Sequence, residues 1–223
     1  MPVADHLQAM SSYGMIADEI GFAIEAAMAK QPDLANRWVL MTHRMTEKYG
    51  SIQPVLNQAD CMLDLAIRCM EDEHLAAATE SPRPRKSSIL AATMQIALSR
   101  LWVLSSYETL RTVRDTPIGK ADERLHLIYR KFRLIRVPLA KMRVANADFI
   151  KTPMDIATAG NKSKITLSPQ HTYILPALLC GQTGSVLWHA IDTKSKATAQ
   201  ITRRELSDEF LSLIGITGHM VET

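Results

Sequence analysis

Along the first two thirds of the chain, apolar residues recur at steps of three and four; after that they fall into short runs broken by Pro and Gly. Met10, Tyr13, Ile16, Ile20, Ala23 and Ala27 make one stripe, which predicts a helix from about Asp5 to Lys30. Gln31-Pro32-Asp33 breaks it. Leu34, Trp38, Met41 and Met45 then set a second helix that Tyr49-Gly50-Ser51 closes. Pro54 suits a first helical turn, and Val55, Ala59, Met62, Ala66 and Cys69 continue a third helix. That helix carries Glu71-Asp72-Glu73, an unfavourable sign near a C-terminus. Either it runs on through Ala76-Ala77-Ala78, or those acids face something basic.

Ser81-Pro82-Arg83-Pro84-Arg85-Lys86 reads as an exposed linker, and Ser87 or Ser88 as the cap of the next helix. From Ile89 to Leu98 the pattern loses its polar face, so the fourth helix, about 88 to 114, is expected at the centre, covered all round. Asp115 to Gly119 ends it. A fifth helix from about Ala121 has Leu125, Ile128, Phe132, Ile135 and Leu139 on its apolar face, and Pro138 should kink or stop it near Val137. Two runs near 185–201 flank Asp192 to Lys196 as a β-hairpin. Thr202-Arg203-Arg204-Glu205 has the form of a capping box opening a helix near 203–214. The expected fold is mainly α: about five helices in a bundle over 1–145, with a small α+β appendage, a hairpin plus helix, over 146–223.

Composition supports helix packing. Aromatics are 5% while Met is common at 12 residues, a balance that suits helices better than a β-sandwich. Three cysteines, Cys61, Cys69 and Cys180, without paired spacing, together with no signal peptide at the N-terminus, point to free buried thiols in a reducing cytoplasmic setting. No run reaches the roughly 18 apolar residues of a membrane span, so no membrane partner is expected.

Charge is what changes the picture. The net charge of +3 conceals two blocks: residues 1–80 hold 5 Lys/Arg against 12 Asp/Glu, and residues 81–145 hold 14 against 4. Either the blocks meet within one fold, or the basic block meets nucleic acid or the acidic block of another subunit. On the fifth helix His126, Arg130, Arg133 and Lys141 share a stripe, with Arg136 and Arg143 to one side and Arg124 upstream. Such a row repels itself unless something negative is near. Phosphate satisfies that need, and so would the third helix with Asp60, Asp64, Glu71, Asp72 and Glu73. On the fourth helix, Arg100, Glu108 and Arg111 fall near one face, a polar network that Arg136 could complete. No HExxH, GxSxG, metal-ligand spacing or Gly-rich phosphate loop is present, so no catalytic residue, metal or cofactor is assigned.

A long helix carrying Tyr107-Glu108-x-x-Arg111, followed by a basic helix, resembles the HEPN superfamily of prokaryotic helical domains. Many of its members bind or cut RNA in defence or toxin–antitoxin systems. The resemblance covers residues 1–145 and implies RNA binding or a metal-independent ribonuclease. The family signature, Arg then His four to six residues on, falls at Arg37/His43 and Arg68/His74 on early helices, while Arg136 is followed six residues later by Met142. The departure implies a non-catalytic member. The functional expectation is therefore a non-catalytic cytoplasmic interaction protein, oligomeric, contacting an acidic partner through Arg124, Arg130, Arg133, Arg136 and Lys141.

Overall fold

The computed structural model describes residues 14–50, 54–79, 89–157, 164–168 and 173–213. Among these are seven α-helices: α1 Met15–Lys30, α2 Pro32–Tyr49, α3 Pro54–Thr79, α4 Ile89–Asp115, α5 Pro117–Ala121, α6 Glu123–Lys141 and α7 Arg203–Ser212. The fold is mainly α with a small sheet, as the pattern predicts. The linker 81–86, the caps at Ser87 and Ser88, and the start of the first stripe lie outside the described residues. Where the sequence predicts only the end of α4, the chain forms the five-residue α5; Thr116 caps it, its side chain accepting from Gly119 N. Pro138 neither stops nor ends α6, which runs to Lys141 with Met142 in the left-handed conformation as its C-cap. Pro138 is itself buried, three residues before the helix ends.

The hairpin forms as expected, β4 Val186–Asp192 against β5 Ala197–Thr202. It is part of something larger. β1 Met154–Ala157, β2 Lys164–Leu167 and β3 Ala177–Leu179 extend it into a five-stranded sheet of order β2-β1-β5-β4-β3. These three strands are four, four and three residues long, too short for alternation to show in sequence.

Side chains from both sides of residue 145 share one apolar cluster. Phe210 of α7 lies among Trp38 of α2, Trp102 of α4 and Phe132 of α6, with ring centroids 5.5, 6.3 and 6.1 Å away. A second, smaller cluster of Val144, Ile150, Ile156, Leu167 and Ile191 fills the far side of the sheet. The β3–β4 turn is pressed onto α3: Gly184 has φ +65°, and a Cβ there would sit 2.0 Å from the Glu71 carbonyl oxygen. Only glycine fits.

The expectation that α4 is covered all round is corrected. Its inner face is buried, from Gln95 through Ser99, Trp102, Ser106 and Leu110, but Leu90, Met94, Ala97 and Leu101 are exposed. Among the described residues α4 is also the one helix long and apolar enough to cross a membrane by length and composition, although no unbroken apolar run shows it.

Candidate functional site

Two polar constellations stand out, one sealed and one open. The sealed one is built on α3. Asn57, Asp60, Asp64 and Glu71 recur near one helical face and are fully buried. A buried carboxylate must find a cation or hydrogen bonds. The N-terminus of α7 supplies both. Arg203, fully buried, donates to Asp64 Oδ1 and, through Nη2 at 2.7 Å, to Glu71 Oε1. Arg204 donates from Nε to Glu71 Oε2 at 2.7 Å and from Nη2 to Asp72 Oδ1 at 2.5 Å. Arg68 reaches Asp208 at 2.6 Å, and Trp38 Nε1 and Ser207 Oγ both donate to Asp64 Oδ2 at 2.8 Å. Burial alone would push Asp64 up; Arg203 and Arg68 overcome it and hold the carboxyl below its usual range.

The acidic third helix, one of the two partners expected for the basic fifth, does not pair with it within this chain among the described residues. The acids of α3 meet arginines from the C-terminal third, because α4 stands between α3 and α6 and packs against both. Glu71 and Asp72 face Arg203 and Arg204, Glu73 faces Lys30 at 3.3 Å, and α3 also runs on to Thr79. The sequence assigns Arg203 and Arg204 no role, because the capping box accounts for their neighbourhood. Thr202 does cap α7, accepting from Glu205 N at 3.1 Å. Two arginines in the first turn of a helix, where the dipole disfavours cations, are the signal the sequence offers.

Asn57 and Asp60 are the exceptions within this seam, and neither side-chain polar atom of Asn57 has a hydrogen-bond partner among protein atoms. Ser106 donates to Asp60 Oδ2 at 3.1 Å, but Asp60 Oδ1 has no hydrogen-bond partner among protein atoms. Burial pushes its pKa up to about 6, against the pull of Ser105 and Ser106.

The open constellation lies along α4 and α6, where the sequence places its site. Glu108 is held between Arg111 Nε at 2.6 Å and Arg136 Nη2 at 3.0 Å, so the predicted three-residue pair and the predicted third partner are both present. The network is at the surface: the Glu108 side chain is 39% exposed. Arg100 does not join it, donating instead to the Leu139 carbonyl at 2.9 Å. Beside Glu108 the rings of Tyr107 and Tyr129 stack with centroids 5.0 Å apart and hydroxyls at 2.5 Å. Arg136 lies over Tyr107 at 4.9 Å and Arg114 over Tyr129 at 4.2 Å. The result is a four-layer stack of guanidinium, ring, ring and guanidinium. Burial, with the Tyr129 hydroxyl, pushes Tyr107 up to about 12, so it stays neutral.

The five cations assigned to partner binding separate. Arg130 is paired to Asp192 at 2.7 Å, and Arg136 to Glu108. Arg124 lines a cleft of about 620 Å³ between α6, β5 and α7. Lys131 in the same cleft is held by Glu205 and Glu209, which raise its pKa against the effect of burial. On α6 Arg133 is half-buried and Lys141 exposed, and neither makes a hydrogen bond or ion pair among the described residues. His43 pairs with Glu47 on α2, and the ring of His126 bonds the Lys120 carbonyl. Neither is at this edge.

Cys61, Cys69 and Cys180 are free but half-buried rather than buried. A cleft of about 570 Å³ between α2 and α3 is lined by Trp38, Val39, Thr42, Cys61 and Met62, and burial pushes the Cys61 thiol up to about 11. Among the described residues no group of His, Cys, Asp or Glu is placed to hold a metal ion. No family model matches this chain, and no curated protein or solved structure matches it.

Proposed function

We propose that this protein is a non-catalytic, cytoplasmic interaction module whose α4–α6 face contacts an acidic partner, and that the partner is nucleic acid. The observation that carries the reading is that Arg133 and Lys141 have no partner among the described residues and lie beside two arginines that share the single carboxylate of Glu108. Around the tyrosine stack, Arg111, Arg114, Arg133 and Arg136 face only Glu108 and Asp115 among the described residues, an excess of positive charge at a surface. Guanidinium forks match phosphate oxygens, and Arg111 and Arg136 can exchange a shared carboxylate for phosphate at little cost. Asp64, Glu71 and Asp72 of α3 do not compete for these cations, being paired with Arg203 and Arg204.

Fluorescence anisotropy with a labelled single-stranded RNA at low salt tests this. The expected result is binding that the double variant Arg133→Ala/Lys141→Ala weakens by about 10-fold, as expected for two lost phosphate contacts. Absence of binding by the wild type at low salt contradicts the reading.

A further inference from the structure

Asn57 lines the cleft between α2 and α3, where neither its Oδ1 nor its Nδ2 has a hydrogen-bond partner among protein atoms. We infer that this cleft binds a neutral, largely apolar small molecule that carries a primary amide or lactam edge. The cleft encloses about 570 Å³, within the range of roughly 300–1,000 Å³ of small-molecule sites. Trp38, Val39 and Met62 make its wall apolar. Asn57 stands on that wall one helical turn before Cys61, and it is fully buried. A buried carboxamide with both polar atoms unpaired is costly, and its place on a cleft wall points to a partner that arrives through the cleft. Water suits the position poorly, because a buried water needs about three polar partners and this wall is mostly apolar. Thr46, on the same wall, already donates its hydroxyl to the Thr42 carbonyl of its own helix at 3.0 Å.

The lining residues select the ligand's chemistry. A carboxamide presents a donor and an acceptor on one edge, and a second such edge is its complement. A primary amide or a lactam accepts from Nδ2 and donates to Oδ1 at once. A carboxylate only accepts, and it would leave Oδ1 unpaired beside a negative charge. Among the described residues that line the cleft, none is Lys or Arg, so an anion would also enter without a counter-charge. The charged pair of the lining is His43 and Glu47, which face each other at 3.4 Å and are 71% and 65% exposed. They belong to the mouth of the cleft, whereas Asn57 belongs to its floor. Cys61 keeps the wall uncharged at neutral pH, because burial pushes its thiol up to about 11. The cleft shares no residue with the α4–α6 face, so this inference and the nucleic-acid proposal can each fail alone.

Isothermal titration calorimetry with a matched pair of probes tests it: 2-naphthamide, and 2-acetylnaphthalene, in which a methyl group replaces the amide nitrogen. The wild type is expected to bind the amide about 10-fold more tightly than the ketone, which can accept from Nδ2 but cannot donate to Oδ1. Asn57→Leu keeps the size of the side chain and removes both polar atoms. It is expected to bind the two probes equally, with the ketone held at least as tightly as by the wild type. Circular dichroism checks that the variant keeps its helices. As a readout that needs no variant, the Asn57 side-chain amide signals of the wild type are expected to shift in proton–nitrogen correlation spectra as 2-naphthamide is added. A wild type that binds neither probe at millimolar concentration, or binds both equally, overturns the inference. So does a folded Asn57→Leu chain that keeps the preference for the amide, or an Asn57 signal that stays in place while 2-naphthamide binds.

Discussion

At the scale of single residues, the seam on α3 makes opposite demands of neighbouring carboxylates. Asp64 has Arg203 and Arg68 and is favoured charged; Asp60 has only serine hydroxyls and is shifted towards neutral, with a pKa pushed up to about 6. Between about pH 4 and 6 the unfolded chain gives up the Asp60 proton while the folded chain keeps it, so raising the pH through that window weakens folding, by ~3 kcal/mol once above it. Asp64 acts in the opposite sense: its contribution is complete above the usual carboxylate range and is lost as pH falls through its depressed pKa. Asp60→Asn is therefore expected to raise stability by about 1–3 kcal/mol at pH 7 and to flatten the dependence between pH 4 and 6. Urea denaturation at a series of pH values reads it, and an unchanged slope would refute the assignment. Arg203→Met, leaving Asp64 and Glu71 buried without their shared cation, is expected to cost about 3–5 kcal/mol in the same assay. A loss under about 1 kcal/mol would show that Arg68 and Arg204 suffice. Neither role is legible in the sequence. Periodicity places Asp60, Asp64 and Glu71 together, but the arginine that pairs Asp64 and Glu71 lies more than 130 positions downstream, and no local pattern encodes a contact of that span.

At the scale of elements, the legible features are those with a local cause. Apolar stripes predict α2, α3, α4 and α6 within a few residues, and the turn residues predict the β4–β5 hairpin. The Thr202 cap is legible because its hydrogen bond is to a residue three positions on. Thr202→Ala is expected to cost about 1 kcal/mol, seen in thermal unfolding, whereas no change would mean that the Arg203 clamp alone fixes where α7 begins. Inference from a helix's own sequence to its surroundings is what fails. Glu108, Arg111 and Arg136 group together as the sequence predicts, but at the surface rather than in a buried network, because no described residue covers the outer side of α4. One side of α4 is open, and the charges at the end of that side are consequently wet.

At the scale of the molecule, the opposed charge blocks suggest that the acidic first third and the basic middle neutralise each other. They do not meet. Asp64, Glu71 and Asp72 of α3 are taken by α7, a helix from the block with no net charge, and α6 keeps cations that nothing described in this chain satisfies. Salt-dependent binding tests this account most directly, because each phosphate contact releases condensed counterions and sets the slope of log affinity against log salt. With single-stranded RNA, wild type is expected to lose affinity steeply as salt rises, and Arg133→Ala/Lys141→Ala to show a slope shallower by about 1.4, or about 0.7 for each lost contact. Equal slopes for the two proteins, or affinity indifferent to salt, would contradict it.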